Sequence, residues 1–517
     1  MTIRNQIVTL AIVLILAGCA TSSGMAQNLK TGLAAATTPT ERAAAWFENH
    51  RTRPTLLRTF IQRMPKGGDI HTHASGAVYA ESYIAWAAEA DLCVVPTTGA
   101  ITDRPCNPDD GEMPIRQAIH DSALYGAIVD ALSTRNLPFA GRSGHDQFFS
   151  TFAKFGGGSQ GDQVAELVAR AASQHIIYAE IMLTLGGSAA RDIGRQIGFD
   201  GNFALTRDKL LAAGLRQKVE QGRRDLDMIE KRVNELLRCQ GGRPEAGCFV
   251  TRRSLQQTTR TNPPEQVYAQ LVYAFELVRA DPRVVGINLV GPEDHPIALR
   301  DYTLQMEMLG FLADQYPDVP VALHAGELTL GLVPPKHLRF HIREAIHIAK
   351  AKRIGHGVDI SYEDDALALM DDMKKRNVLI EICLTSNDII LGVKGAEHPF
   401  PDYLQAGVPV TIASDDEGVA RIDLSHEYWR AAMTYGLGYR DLKALARNSL
   451  TYSFLNGASL WQSTNPLRVI DACANDPLGG PAPSTACKVF LNRSDRARIQ
   501  WRLEKEFIEF EGLLWLQ

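Results

Sequence analysis

Ile176-Ile177-Tyr178-Ala179-Glu180-Ile181-Met182-Leu183 is an apolar run of strand length that leaves almost no face for water. Similar runs follow at Val284 to Val290, Val319 to His324, Arg353 to Gly357, Val378 to Leu384 and Val408 to Ala413. Helical patterns at Tyr302 to Gln315, His341 to Ala351 and Asp364 to Lys375 separate several of them. Strands apolar on both faces that alternate with helices form a parallel sheet covered by those helices. Nearly every run ends in His, Asp, Glu, Asn or Gly. Polar residues at the carboxyl ends of successive strands mark the active face of a closed barrel, so the expected fold is a (β/α)8 TIM barrel. In this reading Ile176 to Leu183 is the third strand, and the second is not placed.

Working outward, Met64-Pro65-Lys66-Gly67-Gly68 introduces a short first strand, and a helix is expected before it from Glu41 through Ile61. Ile115 to Leu132 reads as an amphipathic helix. Between the third and fourth strands lies a helical excursion, roughly 186–265. Its clearest piece, Gln217 to Arg238, carries Val219, Leu226, Ile229, Val233 and Leu236 on one stripe of a charged helix. That helix is expected to cover the barrel; a lid and a contact in a homodimer are the other readings. A C-terminal extension begins near residue 460, and 41–517 is read as one domain. There is no P-loop or internal repeat.

The chain has 517 residues, 45% of them hydrophobic, which excludes bulk disorder. With 54 basic and 59 acidic residues, its formal charge of −5 provides no field for wrapping nucleic acid. Arg4 followed by the apolar run Ile7 to Ala17 has the pattern of a secretory signal over 1–18, too short to span a bilayer. It ends in Leu16-Ala17-Gly18-Cys19, a bacterial lipobox pattern in which Cys19 is lipidated. Ala20 after it points to the outer membrane. Residues 19–40 then form an Ala/Thr/Ser/Gly-rich tether. Six further cysteines fall into close pairs, Cys93 with Cys106, Cys239 with Cys248 and Cys473 with Cys487, as an oxidising envelope permits. Local pairing is expected, and Cys383 is left over as a buried thiol.

The chemistry sits at the strand ends. His71 and His73, two apart on a strand, point the same way and can share one metal ion. His324-Ala325-Gly326-Glu327 adds a histidine and a carboxyl group, Gly355-His356-Gly357 an exposed ring between glycines, and Ser414-Asp415-Asp416 adjacent carboxylates. Three histidines and a carboxylate with room for water suit a single catalytic Zn2+, which lowers the pKa of that water. His356 is placed to orient or deprotonate the water, and Glu327 to protonate a substrate nitrogen.

The ordered set HTH, HAGE, IGHG, EICLTSN and ASDD resembles the adenosine deaminase family of metal-dependent hydrolases. MPKGGDIHTH at Met64 to His73, HDQFFSTFAKF at His145 to Phe155 and LVGPED at Leu289 to Asp294 are similar to its secreted, growth-factor-type branch. The likeness runs from about Thr55 to Leu455. It implies His71, His73, His324 and Asp415 as zinc ligands, Glu327 as proton donor to purine N1, and His356 as the residue orienting the attacking water. It further implies Asp416 as an acceptor facing N7, Gly291 as backbone donor to N3, and Glu381, Ser386 and Asn387 as buttresses. The implied reaction is hydrolysis of adenosine, or a related aminopurine nucleoside, to inosine or the corresponding product and ammonia.

Two positions depart from the family pattern. Ala74-Ser75 stands where compact members have Leu-Asp, an aspartate that engages ribose, and Asn288 stands where an aspartate is common. A 2′-deoxynucleoside, a modified adenosine or another aminopurine therefore stays open as substrate. The alternatives are another amidohydrolase using the same activated water, and an inactive nucleoside-binding surface lipoprotein. On the lipobox reading, Cys19→Ser should release the protein from the membrane fraction or stall its processing; unchanged fractionation and mass would contradict lipidation.

Overall fold

The structure is a computed structural model that describes residues 38–464 and 466–513. The leader over 1–18, Cys19 and the tether to residue 37 lie outside the described residues. Eight parallel strands carry the core: β1 Gly67–His73, β2 Ile176–Leu183, β3 Thr251–Thr259, β4 Val284–Val290, β5 Ala322–Ala325, β6 Arg353–His356, β7 Leu379–Ile382 and β8 Val410–Ile412. They form two four-stranded sheets, β1-β2-β3-β4 and β5-β6-β7-β8. Parallel bridges from Ile287 to Val321 and from Thr72 to Asp415 join the two into one closed ring. The expected (β/α)8 barrel is therefore present, with extra helical regions around it.

The strand count corrects the sequence reading. Ile176–Leu183 is the second strand, not the third, and the unplaced one is β3, inside the stretch read as a helical excursion. β3 escapes a search for apolar runs because its sequence is Thr-Arg-Arg-Ser-Leu-Gln-Gln-Thr-Thr. Its polar groups find partners: Arg252 pairs with Glu230, and the buried Gln256 accepts from the Leu185 amide at 3.1 Å. The excursion proper thus runs from β2 to β3.

Two expected helices are broken. Glu41 to Ile61 is Pro39–Asn49 followed by Pro54–Arg63, because Pro54 supplies no amide to a continuous helix and suits a first turn. Thr38 caps the first, so that helix begins a little before Glu41. Ile115 to Leu132 is a 3-10 turn, Ile115–His120, then a helix, Ser122–Ala131, started by the Asp121 carboxylate accepting from the Ala123 and Leu124 amides.

The helix expected from Gln217 is Arg216–Leu236. Val219, Leu226, Ile229 and Val233 are buried as expected, while Leu236 is exposed and Leu237 takes its place. It packs on Gln160–Ser173 and Pro264–Ala280, so its stripe covers the barrel flank. Pro264–Ala280 is consequently sandwiched between strands and outer helices, which explains why it is apolar on nearly every side. The C-terminal helix Asp495–Leu513 closes the chain against its start: Glu511 accepts from Tyr439, Lys443 and Thr40, each at 2.7 Å. No helix among the described residues is long and apolar enough to cross a membrane.

All three local disulfides are present, Cys93–Cys106, Cys239–Cys248 and Cys473–Cys487, and Cys383 is a buried free thiol. Loops of this length contribute about 3 kcal/mol each in the chain-entropy account. Thiol titration of the denatured, unreduced domain is expected to find one reactive cysteine among Cys93 to Cys487. A higher number would contradict the pairing.

Candidate active site

The barrel mouth gathers the residues picked out at strand ends. His71 and His73 come from β1, His324 from β5, His356 from β6, and Asp415 and Asp416 from the turn after β8. The Asp415 amide donates to the His71 carbonyl at 2.9 Å, and the His73 amide donates to the Asp415 carbonyl at 3.2 Å. Ring closure itself therefore brings Asp415 to the two β1 histidines. Its Oδ1 lies 3.4 Å from His71 Nε2 and 3.3 Å from His73 Nε2, while His73 Nε2 and His324 Nε2 are 3.2 Å apart.

Each of these three rings has its other nitrogen held by an oxygen. His71 Nδ1 is 2.6 Å from Glu381, His73 Nδ1 is 2.7 Å from Gln257 Oε1, and His324 Nδ1 is 2.8 Å from Asn288 Oδ1. An acceptor at Nδ1 keeps the proton there and turns the Nε2 lone pair inward, the arrangement that prepares histidines to bind a metal. His71 Nε2 is buried with no hydrogen-bond partner. Asp415 Oδ2 accepts from Ser386 at 2.6 Å, leaving Oδ1 to the centre. This nitrogen and oxygen set fits Zn2+ in its catalytic form. Asn288 thus still offers His324 an oxygen acceptor at the position where an aspartate is common, without the charge.

His356 lies within the same cluster, close enough to hold an ion together with His71, His324 and Asp415. It differs from the other rings in having an amide nitrogen, Asn387 Nδ2, at 2.9 Å from its Nδ1. His356 and Asp415 both adopt left-handed backbone, with φ of 68° and 60°, an uncommon and strained state for such residues. Two glycines make the crowding possible. A Cβ on Gly76 would sit 1.5 Å from Asp416 Oδ1, and one on Gly355 would sit 2.5 Å from the His71 ring.

Burial sorts the acids. At Asp415 the cost of burial is outweighed by the bonds to His71 and His73, holding it well below the usual carboxylate range. At Glu327, burial and then the charges of Asp415 and Glu293 push the carboxyl well above that range. Burial pushes Asp416 up to about 8. The resemblance cast Asp416 as an acceptor; a carboxyl raised this far can hold a proton near neutral pH. Burial also pushes His356 down to about 3. Glu327 Oε1 and Asp416 Oδ1 are buried without a hydrogen-bond partner, and Glu327 Oε1 lies 3.6 Å from His356 Nδ1.

A cavity of about 350 Å3 opens on this cluster, bounded by His73, His324, Glu327, Asp415, Asp416 and Gly291. Ser75, Gln257, Thr259 and Thr261 form a polar side, and Phe148, Phe149, Phe152 and Ile390 an apolar one. His145 on the helix Gly144–Thr151 reaches Asp294 after β4 at 3.1 Å, tying the aromatic wall to the loop that carries Gly291. Sequence reading missed the β3 residues because their strand was unrecognised. It noted the Phe148 to Phe152 stretch only as a likeness. It also gave no role to Glu293, which accepts from the Gly326 and Glu327 amides at 3.2 and 2.8 Å and so fixes the Glu327 turn.

The adenosine deaminase family model matches residues 163–460. Adenosine deaminase 2 of Dictyostelium discoideum is 26% identical over 410 residues, 76% of this chain and 69% of its own. An adenosine deaminase of Enterococcus faecalis is 36% identical over 175 residues, 34% of this chain and 46% of its own. A solved Arabidopsis N6-mAMP deaminase covers 77% of this chain and 96% of its own at 21% identity and a TM-score of 0.47.

If the three acceptor-held rings and Asp415 are the ligands, His71→Ala and Asp415→Ala should each lose bound zinc, whereas His356→Ala should keep it. Metal analysis of the purified variants checks this; full zinc in either of the first two, or its loss from the third, contradicts the assignment.

Proposed function

Because the chain belongs to the adenosine deaminase family, we propose that it hydrolyses the exocyclic amine of adenosine, or of a closely related aminopurine nucleoside, to the 6-oxo product and ammonia. The observation that carries this reading is Glu327: a carboxyl on the wall of the cavity that His73, His324 and Asp415 also line, with Oε1 buried and without a hydrogen-bond partner, and held by burial well above the usual range. When bound, zinc supplies Lewis-acid activation of water. Attack at C6 breaks ring aromaticity and builds charge on N1, and a protonated Glu327 delivers the proton that N1 then needs. Purine N7 only accepts, which suits the protonated carboxyl of Asp416, and the Gly291 amide is the donor offered to N3. His356 orients the attacking water, as developed below.

The lining also speaks to substrate class. Its charged side chains are the acids and histidines of the centre, with no Lys or Arg among the described lining residues, so a 5′-phosphate has no cationic partner there. A neutral nucleoside is favoured over a nucleotide. Phe148, Phe149 and Phe152 offer apolar surface to the base or sugar. Ser75, in place of an aspartate, gives the ribose a hydroxyl partner without a charge.

The secreted branch of the family, a lipid anchor at Cys19 and an envelope location belong to the same reading. Three disulfides, which need an oxidising compartment, and the long match to an adenosine deaminase 2 support it.

Glu327→Gln keeps size and some hydrogen bonding but cannot give up the proton. It is expected to retain zinc and fold while kcat on adenosine falls by about 10²- to 10⁴-fold. Ammonia release from adenosine, 2′-deoxyadenosine and adenine, at equal zinc content, is the measurement. A loss within threefold rejects the donor role, and no ammonia from any aminopurine rejects deamination.

A further inference from the structure

We propose that His398 is a positioning residue that fixes the tautomer of His356 through Asn387, keeping the His356 proton on Nε2. His398 lies outside the cavity, in the segment between the helices Leu384–Leu391 and Phe400–Ala406, and is buried. Three hydrogen bonds run from the Phe400 amide through His398 and Asn387 to His356, and each sets the direction of the next.

The fixed end is a backbone amide. Phe400 N–H donates to His398 Nδ1 at 3.1 Å, and an amide cannot reverse, so that nitrogen must be the bare one. The proton of a neutral His398 is then on Nε2, which lies 3.0 Å from Asn387 Oδ1. Burial pushes His398 down to about 4, so the ring is neutral near pH 7. With its oxygen engaged by that donor, Asn387 must turn Nδ2 toward His356 Nδ1, 2.9 Å away. His356 Nδ1 therefore accepts, and the proton of this neutral ring is on Nε2, a buried atom with no other partner.

This polarity is opposite to that of the neighbouring rings. His71, His73 and His324 each have an oxygen at Nδ1 and a lone pair at Nε2. His356 instead presents a donor. It is thereby removed from competition for the ion, though it is close enough to join the ligands, and it is committed to hydrogen-bonding the oxygen that attacks the substrate. The catalytic consequence rests on the deaminase reading above; the tautomer does not.

The test uses the zinc-loaded protein labelled with 15N-histidine, its ring-nitrogen spectrum, its zinc content, and kcat and KM on adenosine. His398→Gln still offers a donor to Asn387 and an acceptor to Phe400, so it should keep the His356 proton on Nε2 and kcat within about threefold. His398→Glu, with every variant assayed at one alkaline pH at which its carboxyl is ionised, offers only acceptors. It should turn the Asn387 amide over, move the His356 proton to Nδ1 and lower kcat about 100-fold, with KM and zinc content unchanged. Wild-type His356 protonated on Nδ1 overturns the proposal, as does a Glu variant with the tautomer and kcat of the Gln variant. Should the Glu variant not fold, the wild-type spectrum decides alone. A wild-type spectrum as expected from a protein that deaminates no aminopurine would reject the function and leave the relay standing.

Discussion

Glu381 is the hinge of the centre. It is wholly buried on β7, where a lone carboxylate would be intolerable, and it is held ionised by Arg353 at 2.6 Å and by His71 Nδ1 at 2.6 Å. Arg353 in turn pairs with Glu180 on β2 at 2.6 Å and stacks over Phe454 at 3.9 Å. One guanidinium thus neutralises two acids, one from each half-barrel, and the second oxygen of one acid sets a histidine. Removing Arg353 would strand two buried carboxylates, a loss of the order of 3–5 kcal/mol for a broken buried pair. The aim of His71 depends on that balance.

How much of this was visible in the chain depends on what each residue does. β2 and β4 match their expected bounds because burial on both faces writes itself as an apolar run. The strand ends were legible too: His71, His73, His324, His356, Asp415 and Asp416 all meet at one mouth. β3 was illegible for the converse reason, since Arg252, Gln256 and Gln257 are satisfied by partners distant in sequence. The groups that orient the ligands are of the same kind. Gln257 and Asn288 carry no local signature; their role exists only once β1, β3, β4 and β5 stand side by side. Acid strength was equally out of reach, because the difference between Asp415 and Asp416, adjacent in sequence, comes from which of them meets the histidines.

The parts outside the barrel serve it in different ways. The segment between β2 and β3 spends its apolar stripe on the barrel flank, and the C-terminal helix ties Thr40 to Tyr439 through Glu511. The region between β1 and β2 supplies the aromatic wall of the cavity and rests on its own small core, which includes Val94, Ile101 and Ile128. The disulfides sit on these additions. The one reduced cysteine among the described residues, Cys383, directly follows β7.

The ring is continuous within each sheet but is joined to the other by single bridges, at Ile287 with Val321 and at Thr72 with Asp415. These are its seams, and the second runs through the centre. His71 and His73 belong to one half-barrel, His324 and Asp415 to the other. An ion held by all four would therefore be a stitch across the thinnest join of the fold as well as a reagent, and its removal would be expected to loosen the seam before the interior of either half.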